Sequence, residues 1–297
     1  MTHTSKTIVF FGTDDFSAAS LRELIADGFT IGAVVTKPDS RKGRGRELSK
    51  SIIKEIAEAN SIPVWQPTDV TTISDDIKKF HNPLGVLVSY GKIIPQSIID
   101  LFSPGIVNVH PSLLPLYRGP SPIESVILNG DTETGVTIMR LSAAMDAGPV
   151  YTQVTTPLLD TETTPELELR LAELGAQQLS HTLPAIINGT LQATPQNDDS
   201  ATYCQLLTKD NSTLDTTLLT ANQAERQVRA YIAFPKTKTI VDGHHIIITK
   251  AHVTSTHTSP LDIVCADGRY LSIDELIAPS GKAMNASAFI NGYLARS

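Results

Sequence analysis

Three polar residues stand in stretches otherwise built for burial. Asn108 and His110 close the run Gly105-Ile-Val-Asn-Val-His110, which leads into Pro-Ser-Leu-Leu-Pro-Leu-Tyr-Arg-Gly119. Asp146 lies in Met145-Asp-Ala-Gly-Pro149, between two apolar segments. Residues two apart on an extended strand leave the same face, so Asn108 and His110 project together. The carboxyl end of a strand in an open parallel sheet is where ligands bind. Asparagine offers an uncharged donor there, and histidine exchanges a proton near neutral pH. A carboxylate held near the imidazole orients it and favours its protonated form. An amide, an imidazole and a carboxylate suit acyl transfer to an amine. Each well-placed donor to the tetrahedral oxyanion is worth ~3–4 kcal/mol, and a base must remove the extra proton of the attacking amine. Singly, each residue has an ordinary explanation: a histidine at a strand end is mostly structural, and Asp before Gly is mostly a turn. The joint pattern is what points to a catalytic centre.

The elements that must hold these residues alternate in type. Apolar strands are predicted at 7–11, 30–36, 62–65, 85–89 and 105–110, with helices at 17–27, 49–60, 72–80 and 95–102 between them. Ser49 or Ser51 is a candidate N-cap for the second helix, and Pro95 opens the fourth. This order predicts a Rossmann-like parallel sheet covered on both faces. A helix at 122–129 and strands at 135–141 and 149–157 extend it, and a long amphipathic helix at 164–188 is expected to close the domain. Residues 190–206, with Pro195-Gln-Asn-Asp-Asp-Ser200, read as a linker. A helix at 221–232 and short strands at 244–253, 262–265 and 271–277 predict a smaller β-barrel in the back part. The expected division is therefore 1–189, 190–206 and 207–297.

Composition sets bounds on function. The chain has 297 residues, a net charge of −7 and 41% hydrophobic residues. Its mean hydropathy is −0.02 and its pI about 5.6. That balance argues against a general nucleic-acid coat. No apolar run approaches the roughly 18 residues of a membrane span. The opening run at 7–11 is too short for a signal-peptide core. The two cysteines, Cys204 and Cys265, are far apart and form no metal-spaced pair. A reducing cytoplasm is the expected location, with no membrane partner. Charge is unevenly spread, because residues 207–297 carry nine cations against eight carboxylates. Within 36–50, Lys37, Arg41, Lys42, Arg44, Arg46 and Lys50 face only Asp39 and Glu47, and Gly43 and Gly45 loosen the segment. A basic loop of this kind suits phosphates and a single-stranded end. Phe11-Gly-Thr-Asp-Asp-Phe16 lacks the glycine spacing of a dinucleotide site. His244-His245 sits in a predicted strand, and no metal is expected there.

Several of these segments together resemble a known family. Asn108-Val-His110-Pro-Ser-Leu-Leu-Pro115, Tyr117-Arg-Gly119, Gly130-Asp-Thr-Glu-Thr-Gly-Val-Thr-Ile-Met139 and Asp146-Ala-Gly148 are similar to the catalytic core of the 10-formyltetrahydrofolate-dependent formyltransferases. The resemblance implies that Asn108, His110 and Asp146 form the active centre. It further implies that Ser112, Leu113, Leu114 and Pro115 contact the folate, and that Ser89, Tyr90 and Gly91 line the pterin pocket. The formyl donor implied is 10-formyltetrahydrofolate. Family members act on glycinamide ribonucleotide, sugar-nucleotide amines or methionyl-tRNA. The basic loop resembles that with which methionyl-tRNA formyltransferases engage the tRNA acceptor end, which assigns Arg41, Lys42, Arg44 and Arg46 to charged initiator tRNA. The back part resembles the OB-like C-terminal domain of the same enzymes, around Arg226, Arg229 and Phe234-Pro235. Lys236-Thr-Lys-Thr239 stands where the family has Trp-Pro, so recognition is expected to rest more on the basic loop. The chain is expected to act as a monomer. A sugar-nucleotide N-formyltransferase is the alternative enzyme, and a non-catalytic folate- or RNA-binding protein the alternative of another class.

Overall fold

The computed structural model describes residues 6–42 and 47–295, with backbone alone at 41, 42, 47 and 48. The chain forms β1 (Ile8–Phe11), α1 (Asp15–Ala26), β2 (Ile31–Val35), β3 (Ser40–Lys42), β4 (Glu47–Ser49), α2 (Ile52–Ala59), β5 (Val64–Trp65), α3 (Ser74–Lys78), β6 (Leu84–Leu87), α4 (Gln96–Ile99) and β7 (Ile106–His110). It continues through α5 (Pro122–Asn129), β8 (Glu133–Arg140), β9 (Val150–Pro157) and α6 (Thr164–Ile187). The C-terminal part holds α7 (Ala221–Ala230), β10 (Thr237–Val241), β11 (His244–Thr254), β12 (Asp262–Val264), β13 (Tyr270–Ile277), β14 (Ala283–Asn285) and α8 (Ala286–Phe289).

Local sequence accounts for the element ends. Asp14 caps α1 by accepting from the Ser17 N–H, while Ser17 answers from its side chain in a capping box. Ser51 caps α2 by accepting from the Lys54 N–H at 3.2 Å; Ser49 instead ends β4. Pro122 occupies the first turn of α5, and Gly130 ends it at φ 70°, a left-handed position that glycine adopts without strain. The expected helix at 72–80 begins instead as a 3-10 turn over Val70–Ile73, because Asp69 caps it early through the Thr71 N–H.

Seven strands form one sheet in the order β5-β2-β1-β6-β7-β8-β9. The five from β5 to β7 are parallel. The parallel expectation stops there, since β8 runs antiparallel to β7 with His110 opposite Thr137. The reason is the connection: α5 returns the chain to the end of β7 it has just left, and an antiparallel edge on a parallel sheet is a common solution. Winding proceeds outward from β1 to β2 and β5, then reverses to β6 on the other side. The carboxyl ends of β1 and β6 thus flank a topological switch point. All four residues of β1 are buried. Its flank is an apolar cluster that includes Phe11, Tyr90, Phe102 and Ile106.

Two compact units result. One holds the chain through Gly119, Thr134–Thr156 and Glu168–Tyr203; the other holds Pro120–Glu133, Pro157–Leu167 and the chain from Cys204. The helix at 122–129 was expected with the sheet, yet it groups with the second unit. There α5 packs along α7, and Arg226 donates to the Asn129 carbonyl at 2.9 Å. The second unit carries a curled antiparallel sheet of barrel-like form in the order β10-β11-β13-β12, with β14 also on β13. Register shifts on either side of Lys250 let the long β11 bend. Val228, Ile246, Ile248, Leu271, Ile273 and Phe289 form its core.

Candidate active site

β7 carries two of the three expected residues, and every residue of that strand is buried. Asn108 and His110 are each only 5% exposed. The Asn108 side chain has no hydrogen-bond partner among the described residues. That leaves the amide open to a ligand.

His110 is held from below by its own loop. Its Nε2 lies 3.0 Å from the Tyr117 carbonyl oxygen, which only accepts, so Nε2 carries the proton and donates. Nδ1 faces Asp146 Oδ1 at 3.8 Å, an ion-pair distance beyond hydrogen-bond reach. Asp146 in turn accepts from the Gly119 N–H through Oδ2 at 2.8 Å. Tyr117 and Gly119 therefore fix the imidazole and the carboxylate from two ends of one tripeptide. Tyr117 (φ 59°) and Asp146 (φ 49°) both occupy the left-handed region, which non-glycine residues enter only when their surroundings compel it.

Burial decides the charge of His110. Desolvation pushes its pKa below the ordinary value of 6.5, against the upward pull of the Asp146 carboxylate and the Tyr117 carbonyl. Asp146 does pull toward the protonated ring, as the sequence reading expects, but burial outweighs it, and the imidazole is neutral at pH 7. In this tautomer the Nδ1 lone pair faces the carboxylate across the 3.8 Å gap.

The expected folate segments divide into supports and accessible positions. Ser112 is fully buried, and its hydroxyl donates to the Leu116 carbonyl at 2.6 Å. Thr137 Oγ1 donates to the Ser112 carbonyl at 2.6 Å and accepts from the Leu114 N–H at 3.1 Å. The Ser112 hydroxyl therefore shapes the loop and is not free for a ligand. Leu114 is 4% exposed, while Leu113 and Pro115 are half-buried. Across the switch point, the exposed Ser89 hydroxyl hydrogen-bonds Asp14, which ties the β6 loop to the cap of α1. Gly91 is exposed at φ 68°, and a side chain there would collide with Lys37 Nζ. The Tyr90 ring is 1% exposed and packs edge-on to Phe11 at 5.6 Å.

Two of the four expected tRNA residues, Arg44 and Arg46, lie outside the described residues. Arg41 and Lys42 lie on β3, which pairs with β4 as a short hairpin. Its base is pinned: Lys54 donates to Asp39 at 2.7 Å and to Gln66 at 2.9 Å, and Gln66 donates to Asp39 at 2.7 Å and to the Lys37 carbonyl at 2.9 Å.

The sequence reading missed Thr137, Arg118 and Gln196. Arg118 is 2% exposed and donates to Gln196 Oε1 through Nε (3.1 Å) and Nη2 (2.8 Å). Gln196 Nε2 donates to the carbonyls of Asp146 and Gly148, each at 2.7 Å. Nothing in a polar, proline-bearing stretch signals such a role. A separate cleft of about 410 Å³, bordered by Ile99, Phe102, Gly105, Arg140 and Ser142, opens at the amino end of β7 and includes none of the three residues. Among the described residues, no group of three or more His, Cys, Asp or Glu is placed to hold a metal. The His244 ring packs edge-on against Tyr293 at 5.4 Å.

Comparison with known proteins adds kinship to this geometry. Residues 5–183 match the family model described as formyl transferase, and residues 207–294 match that of the formyl transferase C-terminal domain. The chain is 37% identical over 97% of its length to a methionyl-tRNA formyltransferase of Pelobacter propionicus, covering 93% of that protein. It is 36% identical to that of Pseudomonas putida, over 96% of this chain and 95% of the other. Among solved structures it is similar to the N-formyltransferase from Helicobacter canadensis in complex with folinic acid and dTDP-3-aminofucose. That likeness has a TM-score of 0.70 at 20% identity, covers 91% of this chain and 99% of that one, and is a likeness of fold.

Proposed function

This chain belongs to the formyl transferase family, and we propose that it moves the formyl group of 10-formyltetrahydrofolate onto the α-amine of methionine carried by initiator tRNA, for translation initiation. The observation that carries this reading is the Asn108 amide, without a hydrogen-bond partner among the described residues, beside the neutral His110 and Asp146 at the carboxyl end of β7. The full-length kinship with curated methionyl-tRNA formyltransferases supports the choice of amine.

The amine nitrogen attacks the formyl carbon, and a carbon–nitrogen bond forms as the carbonyl oxygen takes up negative charge. Asn108 donates its amide hydrogen to that oxygen, and a buried donor has most effect there. His110 has Nε2 committed to Tyr117, so its open Nδ1 takes the extra proton of the amine. Once Nδ1 is protonated, Asp146 stabilises the imidazolium across the 3.8 Å gap. The bond from the formyl carbon to the folate nitrogen breaks, and the proton passes to that nitrogen. Leu113, Leu114 and Pro115, with the Ser89–Tyr90–Gly91 turn, hold the folate. Ser112 keeps the first of these loops in shape.

Arg41, Lys42, Arg44 and Arg46 engage the acceptor end of the tRNA. The C-terminal domain, 207–297, gives additional support, with catalysis assigned to 1–189 and 190–206 joining the two. In this reading the chain acts as a monomer. Both cysteines are free thiols, which fits the cytoplasm. No described helix is long and apolar enough to cross a membrane. The test is to supply labelled 10-formyltetrahydrofolate with methionyl-tRNA or with an amino-sugar nucleotide. Label in the methionyl-tRNA is expected; label in the sugar nucleotide alone would overturn the reading.

A further inference from the structure

The three catalytic side chains leave one question open, namely what holds Asp146 in place. Its backbone is left-handed, and among the described residues the carboxylate has one hydrogen bond, from the Gly119 N–H. The remaining restraint comes from residues 194–203, the stretch that reads in sequence as a linker. Thr194 exchanges two backbone hydrogen bonds with Val150, each 2.8 Å, at the exit of the Asp146 loop. Thr202 accepts from the Arg118 N–H at 2.9 Å and, through its hydroxyl, from the Tyr117 N–H at 2.8 Å. The segment therefore clasps both the strip that holds His110 and the loop that carries Asp146.

Gln196 is the pivot. Its Nε2 spans the carbonyls of Asp146 and Gly148, and its Oε1 receives two donors from Arg118. The orientation of this amide is forced, because guanidinium only donates and carbonyls only accept. Arg118 is in turn fixed at 2% exposure by Asp198 Oδ1 at 2.7 Å, by the Tyr203 hydroxyl at 3.2 Å, and by the Tyr203 ring 5.9 Å below its Cζ. Arg118 lies between Tyr117, which binds the imidazole, and Gly119, which binds the carboxylate. One residue and its amide partner thus set the spacing of His110 and Asp146.

We infer that Gln196, held by Arg118, is a positioning residue that fixes the Asp146 loop at its working distance from His110. The inference rests on the assignment of Asp146 to the catalytic trio. Gln196 touches no reacting atom and acts through the loop that carries Asp146, so its removal should slow turnover while leaving both substrates bound.

The experiment is a double-mutant cycle in full-length protein, with Gln196→Ala, Asp146→Asn and both together, assayed on 10-formyltetrahydrofolate and methionyl-tRNA. Gln196→Ala is expected to lower kcat about 100-fold, the scale of an ångström misplacement. KM for either substrate is expected to stay within about threefold. On the Asp146→Asn background, Gln196→Ala is expected to cost less than about threefold more, because the residue it serves is already disabled. Gln196→Glu keeps the acceptors for Arg118 and loses both donors, so it is expected to be as slow as Gln196→Ala. It carries the test should the alanine variant fold poorly. Wild-type kcat in both variants, or an equal fold-loss with and without Asp146, would overturn the inference. If Asp146→Asn itself turns over at the wild-type rate, the catalytic assignment of Asp146 fails and takes the inference with it. If Asp146→Asn is slow while Gln196→Glu is not, only the inference fails.

Discussion

His110 sits between two opposing influences, and their balance is measurable. Burial lowers its pKa below 6.5, and the Asp146 carboxylate raises it. Nitrogen NMR of the ring should therefore report a midpoint under 6.5 with the neutral ring protonated at Nε2. Asp146→Asn removes a negative charge that favours imidazolium, so the midpoint should move lower still. A midpoint that rises in Asp146→Asn would contradict the assigned balance. Proximity in sequence made Asn108 and His110 legible as a pair, since the period of a strand dictates that they share a face. Asp146 was legible only jointly with that pair and through family resemblance, because nothing local tells a catalytic Asp-x-Gly from a turn. The charge state of His110 was not legible at all: a neighbouring carboxylate can be guessed from sequence, but the depth of burial that outweighs it cannot.

At the scale of elements, the β3–β4 hairpin is a short arm whose base is locked by Lys54, Asp39 and Gln66. Lys54→Ala should free that base and raise KM for methionyl-tRNA, leaving KM for 10-formyltetrahydrofolate unchanged; equal KM for tRNA in both proteins would remove the hairpin from recognition. Arg44→Ala should weaken use of the tRNA and make it less sensitive to salt, because each lost phosphate contact lowers the slope by about 0.7 for a single strand. An unaltered salt slope would separate Arg44 from the phosphates. The alternation of strands and helices was readable from apolar period, and the parallel order of β5 to β7 follows from it. The reversal at β8 was not, because strand direction depends on where α5 sets the chain down. The stretch at 190–206 shows the same limit. Its composition is that of a linker, but backbone groups and Gln196 give it partners that composition does not reveal.

For the molecule as a whole, the same histidine links catalysis to stability. Its folded pKa lies below its unfolded value of 6.5, so the unfolded chain binds more protons in the interval between them. Stability should thus fall as pH drops below 6.5, and the decline from this group should end once pH passes its folded value. A His110→Asn variant should show a flatter melting-temperature profile over that interval; an identical profile would remove His110 as its source. A second part of the chain beyond the polar stretch at 190–206 was expected from composition, and the role given to it rests on family resemblance. The grouping of α5 with α7 was not, since only packing shows which helix face finds which partner. Everything proposed for this enzyme passes through one event, the stabilisation of a developing oxyanion by the free amide of Asn108. Single-turnover formylation of methionyl-tRNA tests it most directly. With folate binding intact, Asn108→Ala is predicted to slow formyl transfer about 100- to 1000-fold, as expected for loss of one oxyanion donor. Transfer by that variant at the wild-type rate would contradict the account.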